Sequence, residues 1–252
     1  MEFETEARDC LYINWALPRE AAPAKLPKPL RYEIHRLGDQ EMVFFSVLLF
    51  RLSDLHATVW PWARISYPQA NLRFYVFDGE DRPAVYFLRT WVPWWVFPLA
   101  RGLAHQPAQP ARLRFPRPSG DRHAECWRWR LWCGARLALS AALASPQLGP
   151  GPILGSWERA VEHFRQRRRG YVRAGDGVHL VRAARPMATV WPLRVEIENS
   201  GLLEQVLPAM PPQRWYQPHS AWLSPQIPLR FTLGPAADKA LARAQMPAAE
   251  GA

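Results

Sequence analysis

Lysine is nearly missing from this chain. Only Lys25, Lys28 and Lys239 occur among 252 residues, and the other 29 of the 32 basic residues are arginine. The formal charge of +10 is therefore an arginine charge. Abundant Arg, Ala, Pro and Trp beside so little Lys matches the codon bias of a GC-rich genome. Solvated surface arginine accounts for it, and a nucleic-acid partner is not expected. Cysteine is scarce too: Cys10, Cys126 and Cys133. Their spacing is no metal knuckle, and an odd count without a signal peptide points to reduced thiols in the cytoplasm. The opening Met1-Glu2-Phe3-Glu4 is acidic where a signal peptide needs positive charge. Long apolar runs are lacking. The most apolar window, Trp91 to Leu99, is about half the length of a bilayer span and holds Pro93 and Pro98, so no membrane span is expected.

Catalytic signatures are lacking as well. There is no H-E-x-x-H, no paired C-x-x-C, no Walker loop, no G-x-G-x-x-G and no G-x-S-x-G elbow. The seven histidines are scattered, and no two have metal-ligand spacing. No metal and no cofactor is expected.

What is present is strand pattern. An apolar fraction of 48% suits a globular chain able to bury a core without disulfides. Pro18, Pro23, Pro27 and Pro29 predict an irregular opening over residues 1–30. Tyr32–Leu37 and Glu41–Leu52 form a hairpin around Gly38-Asp39. Met42–Phe50 is apolar on both faces, so both are covered. A long loop follows over 53–68. Asn71–Phe77 and Ala84–Trp91 pair across Asp78-Gly79, where Gly accepts a positive φ. Trp91, Trp94 and Trp95 are expected in the core, with a short helix over 94–104. In His123–Cys133, Trp127, Trp129 and Leu131 share one face, and Arg128, Arg130 and Trp132 the other. Ser156 is a candidate N-cap for a helix bearing Trp157, Val161 and Phe164 on one stripe. Arg165–Arg169 is read as its solvated last turns, ended by Gly170. Strands are expected at 171–174, 178–183, 189–197, 213–216 and 228–233, with a helix near 201–207. Residues 1–234 read as one domain and 235–252 as a loose tail.

One stretch is distinctive. Asn71-Leu72-Arg73-Phe74-Tyr75-Val76, followed by a turn and Pro83-Ala84-Val85-Tyr86-Phe87, resembles the signature of the YqjF-like family of uncharacterised bacterial proteins. Leu11–Leu17 with Trp15 resembles that family's opening strand. Phe164 and Arg168 resemble a helix carrying Phe and Arg, and Pro218-His219-Ser220 a late His-Ser element. Arg169 and Gly170 depart from the pattern, which more often has an aromatic and a polar residue there. The family is similar in fold to acetoacetate decarboxylase. The resemblance implies a β-rich (α+β) chain: a closed or nearly closed antiparallel β-barrel with a central cavity and a few external helices. It does not imply decarboxylation. That reaction needs a Schiff-base lysine beside a second lysine, and no expected strand here carries one.

Alternation puts Leu72, Phe74 and Val76 on one face of their strand and Asn71, Arg73 and Tyr75 on the other. In a barrel, the first set packs beneath external helices and the second faces the lumen. A buried guanidinium needs a carboxylate or a bound anion. Glu33, Glu125 and Glu196 are candidate internal partners. The expected site is thus Asn71, Arg73 and Tyr75, supported by Glu125, Arg168 and His219. Three functions compete. One is a barrel that binds a small anionic organic molecule. Another is a lysine-independent lyase or isomerase using Arg73 with a lumen carboxylate or Tyr. The third is an anionic-surface or nucleic-acid binder.

Overall fold

The structure is a computed structural model that describes residues 2–102, 107–116, 126–148, 153–174, 177–184 and 189–232. Its strands in chain order are β1 (Glu2–Pro18), β2 (Arg31–Tyr32), β3 (Ile34–Leu37), β4 (Gln40–Ala57), β5 (Ile65–Phe77), β6 (Pro83–Val92), β7 (Ala108–Pro110), β8 (Arg112–Arg114), β9 (Trp127–Cys133), β10 (Ala135–Leu143), β11 (Arg169–Ala174), β12 (Gly177–Ala184), β13 (Trp191–Asn199) and β14 (Ser220–Thr232). The helices are α1 (Phe97–Gly102), α2 (Trp157–Arg165) and α3 (Gly201–Val206). The proposed tail, 235–252, lies outside the described residues.

Seven strands pair in a ring: β1–β4–β5–β6–β11–β12–β14 and back to β1. All but one of these pairings are antiparallel. The exception is β6–β11, parallel through Gly170 opposite Val85, which departs from the all-antiparallel expectation. The close approach at that seam needs a glycine, because a Cβ on Gly170 would run into the Phe87 ring. A second group of strands, β13, β10, β9 and β8, continues outward from β14.

Alternation decides which layer each side chain enters. Leu11, Ile13 and Trp15 of β1, Val43, Phe45 and Val47 of β4, and Leu72, Phe74 and Val76 of β5 join one core. Trp127, Trp129 and Leu131 of β9 and Leu202 and Leu203 of α3 complete it. The cover over Leu72, Phe74 and Val76 is therefore largely a second sheet rather than helices alone. The other faces of β1, β4 and β5 form a second core with Val161 and Phe164 of α2. The Phe164 ring packs edge-on or tilted with its centroid 4.9 Å from those of both Phe44 and Tyr75, and stacks 5.8 Å from Trp222. So α2 packs against the Tyr75 face, opposite to where external helices are expected. As expected, Met42–Phe50 is buried on both sides.

Several local expectations change. The opening is irregular only after Pro18: β1 runs from Glu2 through Pro18 and pairs with both β4 and β14, and residues 22–30 hold no strand or helix. The prolines begin only where it ends, and a bulge near Asp9, at φ 53, lets it bend. The loop after β4 shrinks to 58–64. At the β5–β6 turn the positive φ falls on Asp81 rather than Gly79. There the buried Asp78 carboxylate accepts from the Glu80 and Arg82 backbone N–H groups and shapes the loop. Trp91 is buried, but Pro93 turns the chain so that Trp94 and Trp95 are exposed. Residues 212–216 form a 3-10 turn, not a strand. Ser156 does cap α2, its Oγ accepting from Arg159 N at 3.3 Å. That helix stops at Arg165, and Gly170 sits in β11 rather than at a helix end.

Candidate functional site

A cavity of about 110 Å³ is lined from all seven ring strands: Tyr12, Leu48, Arg73, Phe87, Gly170, Val181 and Ile227 represent one strand each. Asn71 joins Arg73 on its wall. Arg73 is 4% exposed. Its Nη2 donates to the Tyr75 hydroxyl at 3.1 Å, and its guanidinium lies 5.5 Å from the centroids of the Tyr12 and Tyr75 rings. Among the described residues its Nε has no hydrogen-bond partner and no carboxylate pairs with it. Of the expected partners, Glu33 pairs with another arginine, Glu196 is exposed on β13, and Glu125 lies outside the described residues.

Tyr75 is fully buried but does not reach the cavity wall. It heads a polar chain instead. Ser46 Oγ donates to its hydroxyl at 2.8 Å and also contacts Asn14 Oδ1. Asn14 Nδ2 donates to Ser220 Oγ at 3.1 Å, and His219 Nδ1 lies 3.3 Å from that same hydroxyl. The chain crosses β5, β4, β1 and β14, because each of these strands turns a polar residue onto one face. His219 is buried, and its pKa is pulled down to about 4, first by burial and then by His35. It stands at the far end of the chain, away from the cavity lining.

Arg168 is exposed and lies where the cavity meets an open groove of about 910 Å³. Arg82, Arg168, Arg169, Arg182 and Arg230 line that groove. Asp78 holds two of them, Arg82 at 2.9 Å and Arg169 at 3.4 Å, and Glu4 pairs with Arg230. Arg168 and Arg182 make no ion pair among the described residues. Burial and the bond to Asp78 push the Tyr171 hydroxyl up to about 12.

Linear reading missed a second cluster. Arg167 belongs to the run read as solvated, yet it is 6% exposed. Its Nη2 lies 2.8 Å from Glu33 Oε2, and it also borders the cavity. The signal was its spacing: Ala160, Phe164 and Arg167 continue one helical stripe. His35 Nε2 and His163 Nδ1 each stand 3.9 Å from Glu33 Oε1. One ligand-type atom from each of the three residues falls within 4.8 Å of the other two, although the histidines are far apart in sequence. Burial, then Arg167, lowers both imidazole pKa values, His163 to about 3. Burial raises that of Glu33 against the pull of Arg167.

None of the three cysteines forms a disulfide, and no helix among the described residues is long and apolar enough to cross a membrane. No described strand carries a lysine.

The architecture has solved counterparts. An acetoacetate decarboxylase-like enzyme from Sphingomonas wittichii RW1 superposes with a TM-score of 0.59 at 15% identity, covering 91% of this chain and 90% of that one. The enduracididine biosynthesis enzyme MppR complexed with pyruvate gives 0.57 at 13% identity, covering 91% and 87%. Likeness at this identity concerns the fold. No curated protein matches. The Asn71–Phe87 signature and the decarboxylase-like architecture converge on one assignment. Over residues 4–227 the chain matches the model of DUF2071, the YqjF-like "uncharacterized conserved protein (COG2071)", and it belongs to that family.

Proposed function

We propose that this protein is a binding barrel for a small organic acid, with the seven-strand ring closed around a lumen and Arg73 as its anion anchor. One observation carries the reading. Arg73 is buried beside empty space with an unpartnered Nε and no carboxylate among the described residues. A desolvated guanidinium in that state is costly, and a ligand carboxylate relieves it through paired hydrogen bonds. Asn71 adds a polar group on the same wall. Tyr75, fixed by Ser46, holds the guanidinium from behind, and Arg168 stands at the entrance. The arginine-lined groove raises the local concentration of anions.

Size narrows the ligand. A dry cavity of roughly 150 Å³ accepts benzene, and drug-sized ligands use about 300–1,000 Å³. At about 110 Å³ the lumen suits an acid of three or four carbons. The MppR complex with pyruvate makes that acid a sensible first probe. The lining favours binding over catalysis: among the described residues it includes no carboxylate and no histidine. Asn14 also interrupts the Tyr75–His219 chain with an amide, a poor proton relay.

Calorimetric titration with pyruvate, propionate and their amides is the test. The acids are expected to bind and the amides are not. Arg73→Met should weaken acid binding at least about tenfold while stability changes by less than about 1 kcal/mol, because no buried carboxylate is stranded. Absence of acid binding, or equal binding by the variant, overturns the proposal.

A further inference from the structure

We propose that Glu33 Oε1, His35 Nε2 and His163 Nδ1 form a three-ligand site for a first-row divalent transition ion, with Zn(II) as the reference and water in the remaining position. The site is separate from the acid-binding cavity, whose wall includes none of the three residues. Either proposal can therefore fail without the other.

Local geometry builds the site from two elements. Glu33, in the extended link between β2 and β3, and His35, within β3, are two residues apart, and both side chains approach His163. His163 arrives from the last turn of α2. The distances suit a metal. Zn–N and Zn–O bonds near 2.1 Å in a tetrahedron separate neighbouring ligand atoms by roughly 3.4 Å. Both Glu–His separations are 3.9 Å, and one donor atom from each of the three residues lies within 4.8 Å of the other two. Small side-chain rotations close that gap.

The surroundings support the ligands. Arg167 Nη2 approaches the other carboxylate oxygen, Oε2, at 2.8 Å, so Oε1 faces the two imidazoles. A ligating carboxylate held this way by an outer partner is a recurrent feature of metal sites. Arg167 also lies 3.2 Å and 3.0 Å from the two ring nitrogens of His163. Near-equal distances place its Nη2 off the line of either lone pair, leaving Nδ1 able to coordinate. The Phe44 ring packs 4.8 Å from His35 and 5.5 Å from His163 and fixes both imidazoles. Meanwhile His35 Nε2 is buried with no hydrogen-bond partner among the described residues, an orphan that a metal would satisfy. The side chains of Glu33, His35 and His163 are 12%, 18% and 14% exposed, which leaves an ion a path from solvent.

Two neutral imidazoles and one carboxylate match the preference of Zn(II), Fe(II) and Co(II) for nitrogen-oxygen donor sets. With Arg167 adjacent, the loaded site carries excess positive charge, so its open position favours hydroxide or another anion over a neutral ligand.

The experiment uses the tag-free full-length protein, stripped with chelator and titrated with Co(II). We expect one equivalent to bind with visible absorption bands of nitrogen-oxygen coordination, and Zn(II) to displace it. His35→Ala and His163→Ala should each weaken binding at least about tenfold and remove the bands. His56→Ala, whose histidine sits beside Glu4, should leave them unchanged. Should His163→Ala fail to fold, His35→Ala on the edge strand carries the test, with circular dichroism confirming its fold. No stoichiometric binding, or full binding by a folded His35→Ala, overturns the site.

Discussion

The two faces of β5 are made by one strand, yet they behave as different solvents. On one face Leu72, Phe74 and Val76 meet Phe45, Val47 and the second sheet in an apolar core. On the other, Asn71, Arg73 and Tyr75 meet a small cavity and a chain of buried hydrogen bonds. The first face contributes stability through area removed from water. The second gives up part of that gain to keep polar groups placed. Function is expected on the face where burial is least favourable, because an unpaired buried group is what a ligand can satisfy.

Phe74→Ala tests the difference most strongly. The ring is fully buried and lies 5.1 Å from Phe45 and 5.4 Å from Tyr32. Its removal should cost about 3–5 kcal/mol in urea denaturation. Acid binding by the folded variant should change little. A similar loss of affinity in Phe74→Ala and Arg73→Met would erase the distinction between the faces.

Acid pH should act on the polar face through its buried histidine. His219 has a folded pKa pulled down to about 4 from an ordinary 6.5. As pH falls below about 6.5 the unfolded chain takes up a proton that the folded chain refuses. Stability from this group is therefore complete above pH 6.5, declines between 6.5 and 4, and is flat below. A shift of this size corresponds to on the order of 3 kcal/mol across the whole window. His163, with a pKa near 3, adds a second decline of the same sign. Denaturation midpoints at pH 7 and pH 5 should differ, and His219→Gln should shrink the difference. An unchanged slope in that variant would assign the pH response elsewhere.

Tyr75→Phe is the smallest change. It deletes one oxygen that accepts from Arg73 and Ser46. The expected cost is about 1–2 kcal/mol, since Arg73 loses a buried acceptor while Ser46 keeps Asn14 Oδ1. Acid affinity should fall too, because Arg73 loses its support. A loss of stability with affinity intact would show that Tyr75 serves packing alone.

Much of this was legible because strands repeat every two residues. The faces of β5 and β9, the double burial of Met42–Phe50 and the turn between β5 and β6 all follow from neighbours in the chain. Errors arose where a local signal was extended too far. The prolines from Pro18 onward masked the regularity of Glu2–Pro18, which ends where they start. The Arg165–Arg169 run looked uniformly solvated, although the end of α2 turns Arg167 inward and leaves Arg168 exposed.

By itself the sequence determined the β5–β6 hairpin, the lysine-poor chemistry and the presentation of Asn71, Arg73 and Tyr75 on one face, since each depends on composition or on spacings of a few residues. Only the tertiary structure decided which groups meet. It paired Glu33 with Arg167 rather than Arg73, gathered His35 and His163, and set α2 against the Tyr75 face. Those contacts join residues far apart in the chain. Their energies depend on distance and desolvation in three dimensions, and strand pairing around the ring sets both.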